Sequence, residues 1–435
     1  MKRMVCLILL TALLMPLFAQ GGVEEKAVLD MSAPVTLTIW THEDANRKVL
    51  EQELIAEFME MNPNVTVDYQ TYPSSKMREL LTVSFSANQG PDIFNQSQSV
   101  VRQFVIEGRV SALDPEWIGE ASLDDVTGRY IPGALAAVEY DGDIHGLPLE
   151  YTNFCTYLNK NIFRDAGLDP EKDYPKTWEE VMEVSKKLVL REGEIITRRG
   201  YDFRYPSYTM QFLPMVEQLG GKLMSDDGKT AVVGDEAWLQ FFTYMRDWGP
   251  EGYNLGGPTY LPPRKVFDNN NNEIAMSDSG LYQQGRMKKA NPDFFNSDDW
   301  MVIPFPQFED AVVETAGAIA CHYYMVNGQI DTLNQMWAWK LVDFMLSHSA
   351  DYLEQVNLVQ PTYELFESDA FAALPFSDVF AADMKKGDLV YFAGNSSAVN
   401  DKLKGAVESA MLLGEDPATV LENFRKEIQI LIDDE

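Results

Sequence analysis

Apolar and polar residues along this chain repeat with two periods, and the periods take turns. Val35-Thr36-Leu37-Thr38-Ile39-Trp40 alternates with period two, the pattern of a half-buried strand. Residues 44–61 then place Val49, Leu50, Leu54, Ile55, Phe58 and Met59 near helical spacing, and Asn62-Pro63 stops the run. Val65 to Tyr69 reads as a second strand. Ser74-Ser75 opens a helix reaching residue 87, Gly90-Pro91-Asp92-Ile93-Phe94 enters a short strand, and a helix follows at 98–107.

The alternation continues downstream. Gly146-Leu147-Pro148-Leu149-Glu150 leads into a strand through Phe154, Tyr157 and Leu158, and Asn159-Lys160-Asn161 opens a short helix. At Pro175-Lys176-Thr177-Trp178-Glu179-Glu180, Thr177 is a natural N-cap and Glu180 holds the reciprocal capping-box position of a helix to about 190. Helices are expected at 208–219, 235–248 and 281–290, and strands at 273–277, 301–304 and 316–326. The asparagine run 269–272 reads as a loop, and helices dominate from 332 onward, at 332–346, 349–356, 378–385, 398–413 and 417–431. Strand–helix alternation of this kind predicts an α/β architecture of mostly parallel, helix-covered sheets. At 435 residues with 46% hydrophobic and 11% aromatic content, the chain is too long for one ordinary core and well supplied for two.

Charge and the N-terminus narrow the function classes. Lys2 and Arg3 precede an apolar run from Val5 to Phe18, then Ala19 and polar Gln20-Gly21-Gly22. Basic, apolar and small-residue regions in that order read as a secretory signal over 1–20, with 20–33 as a tether, placing the mature chain in the periplasm or outside the cell. Cys6 lies inside the apolar run, so a lipid anchor is not expected. A net charge of −32 repels phosphate backbones and anionic lipid, which disfavours nucleic-acid and membrane-surface binding. Of three cysteines only Cys155 and Cys321 follow the signal, and both are expected as buried thiols.

Enzymatic signatures are absent: no G-x-S-x-G elbow, no P-loop and no H-E-x-x-H. His42, His145, His322 and His348 are the only histidines and form no metal-ligand pattern, so neither catalysis nor a cofactor is expected. Tyr323-Tyr324 could supply phenolate oxygens to ferric iron, but strand neighbours point to opposite faces, which favours packing.

The ordered motifs carry a resemblance. Leu37-Thr38-Ile39-Trp40, Gly90-Pro91-Asp92, Gly146-Leu147-Pro148 with Tyr157-Leu158-Asn159-Lys160, Pro175-Lys176-Thr177-Trp178-Glu179-Glu180 and Ile274-Ala275-Met276-Ser277-Asp278-Ser279-Gly280-Leu281-Tyr282 fall in one sequence. From Val35 to the C-terminus the chain resembles the extracellular solute-binding proteins of family 1, the maltose-binding-protein-like receptors of ABC importers. The resemblance implies a two-lobe periplasmic-binding-protein fold with several hinge crossings. The expected lobes are 34–150 with 305–346 and 151–304 with 347–435. It also implies a monomer that clamps a small solute, a carbohydrate and more specifically an oligosaccharide, and delivers it to a transmembrane permease. A non-sugar solute (polyamine, amino acid or ferric iron), a secreted carbohydrate-active enzyme and a permease-free signalling receptor remain as rival readings.

Sugars present apolar C–H faces and rings of hydroxyls, which aromatic faces and carboxylate, amide or Arg groups match. Trp40, His42 and Glu43 follow the first strand, at the carboxyl end where open α/β sheets bind ligands, and Asn95 and Gln96 end the third. The rival roles are core packing for Trp40 and helix-start polarity for His42, Glu43 and Asp44. Glu150 and Tyr151 mark the expected lobe crossing, and Glu150 matches a sugar-contacting carboxylate of the family. Gly280 and Tyr282 lie in the stretch that family members write A-M-x-x-x-G-x-W, with Tyr here in place of the stacking Trp. Trp300, His322 and Tyr323 complete the candidate set. Trp178, Trp238, Trp248, Trp337 and Trp339 are expected to pack on helix faces.

Overall fold

The alternating segment at 35–40 forms strand β1 (Val35–His42), which buries Val35, Leu37, Ile39 and Thr41 on one face. Burying each such aliphatic side chain contributes about 1.5–3 kcal/mol, enough to fix the register of the strand. β1 lies between β2 (Val65–Tyr72) and β3 (Ile93–Ser97) and runs parallel to both. A small hairpin, β4 (Glu139–Tyr140) and β5 (Asp143–Ile144), precedes β6 (Leu147–Asn153). The second sheet draws on β7 (Cys155–Asn159), β8 (Leu190–Glu192), β9 (Ile195–Asp202), β10 (Ile274–Ser279) and β11 (Trp300–Ile303). With β12 (Ile319–Val326), the described residues give two five-stranded sheets, ordered β2-β1-β3-β12-β6 and β11-β7-β10-β9-β8. The computed structural model describes residues 29–434 apart from 204–207, 226–229, 235, 257–273, 318, 388 and 390–395. The secretory segment, most of the tether and the asparagine run therefore lie outside the described residues.

The sheets are mixed, which corrects the expectation of mostly parallel ones. β12 is antiparallel to β3 and β6, while β7 is antiparallel to β10 and β11. These pairings arise where the chain changes sheets. β6 and β7 are separated by Phe154 alone, yet they belong to different sheets, so one nearly continuous strand feeds both. The segment between β11 and β12 crosses back. Hairpin β8–β9, for which the sequence pattern gave no strand, turns through Gly193 at a φ of 62°.

Each sheet is covered by helices and has its own core. Leu50, Leu54 and Phe58 of helix Ala45–Met61 and Trp339 of helix Thr332–Leu346 pack against the first sheet. Tyr352, Val356 and Leu358 also join that core. Trp178, Trp238 and Trp248 anchor the second. Trp178, Trp238, Trp248, Trp337 and Trp339 are all buried, as their helix-face positions imply. The Thr177–Glu180 capping box is formed in full at helix Trp178–Leu188, satisfying its first amides. Cys155 and Cys321 are buried free thiols. Among the described residues, no helix is long and apolar enough to cross a membrane.

Candidate functional site

The carboxyl ends of β1 and β3 open onto a cleft of ≈ 360 Å³ between the two sheets. His42, Glu43, Ser97, Glu150 and His322 line it from the first sheet, and Phe154, Met210, Tyr282 and Arg286 from the facing side. Strand alternation explains which candidates reach it. Glu150 faces the cleft, and its neighbour Tyr151 turns into the first core. His322 likewise faces the cleft, whereas Tyr323 is fully buried and its hydroxyl donates to the Ala134 carbonyl at 2.7 Å.

The His42 and His322 rings meet tilted, with centroids 4.7 Å apart and planes at 39°. His42 receives help from two sides. Its backbone N–H donates to Asn95 Oδ1 at 3.1 Å, and its ring lies against the same amide. Arg47 Nη1 sits 3.3 Å from His42 Nε2. A guanidinium can only donate, so Nε2 accepts from Arg47. Desolvation, then the Arg47 charge and then His322, hold His42 well below the usual histidine range, so it is neutral near pH 7. His322 Nδ1 lies 2.6 Å from Glu150 Oε1, which orients the second ring.

Beneath the histidines is a buried network. Arg47 Nε is 3.5 Å from Glu51 Oε1, with both side chains at most 1% exposed. Arg47 Nη2 donates to Thr41 Oγ1 at 2.7 Å and to the His42 carbonyl. Glu51 in turn accepts the hydroxyls of Tyr69 and Tyr324 at 2.6 Å and of Tyr352 at 3.1 Å. Tyr324 is thereby fixed in the core, and neither it nor Tyr323 opens to the cleft. Asp44 caps helix Ala45–Met61 by accepting the amides of Asn46 and Arg47, which brings Arg47 back toward β1.

Tyr282 supplies the aromatic surface of the opposite wall. The Arg286 guanidinium lies 4.6 Å over its ring, and Phe154 meets it nearly edge-on with ring centroids 6.2 Å apart. Gly280 matters through its backbone. A Cβ there would stand 2.7 Å from Thr152 Oγ1, so glycine alone lets the β10 end approach Thr152, whose hydroxyl accepts the Leu281 amide at 3.3 Å.

Other candidates lie off the cleft lining. Trp40 is one strand pitch back from His42, meeting Tyr72 edge-to-face at 5.2 Å. Asn95 is 1% exposed and works behind His42, and Gln96 is buried beside it. Trp300 is corrected to core: its ring stacks on Tyr157 and Phe295, and its N–H donates to the Phe295 carbonyl at 2.9 Å. Arg47, Arg286, Phe154 and Met210 were missed. Arg286 had a readable signal, since it follows Tyr282 by one helical turn. The other three had none.

Two helix-covered sheets with a polar cleft lined from both define the two-lobe class of fold. The chain belongs to the bacterial extracellular solute-binding proteins, whose family model matches residues 44–352. Members of that family are binding proteins. It is similar to a maltotriose-binding protein of Pyrococcus abyssi, 28% identical over 260 residues, 59% of this chain and 52% of that one. It is also similar to an arabinooligosaccharide-binding protein of Halalkalibacterium halodurans, 24% identical over 68% of this chain and 64% of the relative. The matches thus span about half to two-thirds of these relatives' length. Among solved structures, the maltose/maltodextrin-binding domain of Bdellovibrio bacteriovorus bound to maltotriose superimposes with a TM-score of 0.75 at 19% identity, covering 92% of this chain and 100% of that one. A solute-binding protein of Thermotoga lettingae bound with α-D-tagatose gives 0.76 at 18%, covering 91% and 99%. These likenesses establish the fold.

Proposed function

We propose that this chain is an exported receptor of an ABC importer that encloses a carbohydrate, an oligosaccharide by preference, and hands it to a membrane permease. The observation that carries the reading is the cleft itself. It is lined by the Tyr282 ring and by the hydrogen-bonding His322–Glu150 pair, the aromatic and polar groups that match the apolar faces and hydroxyls of a pyranose. Sugar-binding relatives of the same family support it. The two lobes follow the two sheets and their cores, with Phe305 and Phe308 on the second core and Tyr352, Val356 and Leu358 on the first, so the bounds shift from 305 and 346, and the lobes close about the crossings as a hinge. The receptor works as a monomer without a cofactor and performs no turnover, in keeping with its family. Its signal peptide directs it to the periplasm or the exterior.

A thermal-shift panel tests this. Maltotriose, mannobiose and D-tagatose are set beside spermidine, glutamate and ferric citrate, and at least one sugar should raise the melting temperature, since a solute bound only by the folded state stabilises it. A response confined to the non-sugars would replace the solute class, and turnover of a glycoside would replace the receptor reading with an enzyme.

A further inference from the structure

Among the cleft groups, Glu150 is the one that resemblance marks for direct sugar contact, yet it is engaged elsewhere. Its carboxylate is 2.6 Å from His322 Nδ1, and the residue is 7% exposed. The His322 side chain is more open, at 22%, and lines the cleft. Nδ1 is turned to Glu150, which leaves Nε2 as the ring nitrogen not engaged by that pair. His42, held by Asn95 and Arg47, lies tilted against the same ring with centroids 4.7 Å apart. We propose, on the carbohydrate reading above, that His322 makes the polar contact with the solute, Nε2 exchanging a hydrogen bond with a ring hydroxyl, and that Glu150 and His42 are positioning residues behind it.

The chemistry selects a hydroxyl. A histidine whose Nδ1–H is committed to a carboxylate accepts at Nε2 when neutral and donates there when charged. An ammonium group satisfies only the first state and a carboxylate only the second. A sugar hydroxyl both donates and accepts, so it satisfies either. His42, kept neutral by burial and the Arg47 charge, adds no repulsion across the ring contact. The groups facing His322 are then Glu150 below it, His42 against its ring and, on the far wall, Arg286 and Tyr282.

A double-mutant cycle on the sugar identified by the thermal panel, with imidazole nitrogen spectra of the same variants, tests this. His322→Ala should weaken binding about tenfold or more. Glu150→Gln should weaken it by a smaller factor. The double variant should stay within about threefold of His322→Ala, because residues acting through one another do not add. The spectra should show the His322 proton on Nδ1 in the unliganded wild type, a changed Nδ1 signal in Glu150→Gln, and a shift of Nε2 on adding sugar. Multiplying losses in the cycle would mean that Glu150 touches the sugar itself and would overturn the assignment, as would a proton on Nε2 in the unliganded protein. If no saccharide binds the wild type, the carbohydrate reading fails and the hydroxyl contact with it. The nitrogen spectra of the unliganded variants still decide the Glu150–His322 pairing on their own.

Discussion

At the scale of single residues, the cleft is built by side chains holding other side chains. Tyr282 lines the cleft with the Arg286 guanidinium over its ring. Tyr282→Ala should therefore weaken sugar binding about tenfold, while Tyr282→Phe keeps most of the affinity, since an aromatic contact is worth about 0.5–1.5 kcal/mol beyond the area it buries; equal losses in calorimetric titrations of the two variants would assign the effect to the hydroxyl. His42 gives a pH signature. Its folded-state proton affinity is held well below the ordinary value of 6.5, so its contribution to stability is full above that pH and is lost as the pH falls below it. Melting curves of wild type and His42→Gln from about pH 8 to about pH 5 should show the wild type losing stability faster on acidification. A pH-independent difference between them would contradict the assignment. The sequence located His42, Glu150, Tyr282 and His322 because strand ends and the β10 loop are readable from pattern. It did not separate Glu150 from Tyr151, or His322 from Tyr323, by role, since that depends on which face of a strand meets the cleft.

At the scale of elements, helix Ala45–Met61 links the cleft to the core. Arg47 on its first turn supports His42, and Glu51 one turn later gathers hydroxyls from β2, β12 and the turn at 352–356. That turn has π-helical hydrogen bonding and ends at Asn357 with φ 56°, where the pattern had indicated an ordinary helix over 349–356. The difference follows from tertiary contacts, chiefly the Tyr352 hydroxyl on Glu51, which no local periodicity encodes. Glu51→Leu leaves the Arg47 charge buried without its partner and should cost about 3–5 kcal/mol in denaturant unfolding. Pairing it with Arg47→Met should recover most of that loss, and a double variant as unstable as Glu51→Leu would show that the hydroxyl network, not the charge, sets the cost. Helix and strand positions elsewhere were legible because apolar spacing and caps such as Thr177 act locally. Strand direction was less so: β12 and β7 become antiparallel neighbours only through the crossings, and hairpin β8–β9 has a largely exposed outer strand with little hydrophobic pattern.

At the scale of the whole molecule, the two layers meet at a cleft lined from both sides. The layers are joined through Phe154 and through the segment between β11 and β12, and Lys289 Nζ reaches across to Asn46 Oδ1 at 2.7 Å. On the proposed reading, a solute bound between them contacts both walls at once, so its binding energy would favour closure. The strong net charge, −32 over the chain, disperses such a chain without marking the cleft as a cation site, because Arg286 lines the cleft and Arg47 lies buried beneath it. Two-core architecture and the family were readable from length and motif order, whereas the cleft's outline needed the folded chain. The most direct measurement is isothermal titration calorimetry of the wild-type protein with maltotriose, mannobiose and D-tagatose. The account predicts saturable binding of at least one of them, one solute per chain, that is strongly weakened in His322→Ala and in Tyr282→Ala. Saturable sugar binding that both variants leave unchanged would place the site elsewhere and contradict it.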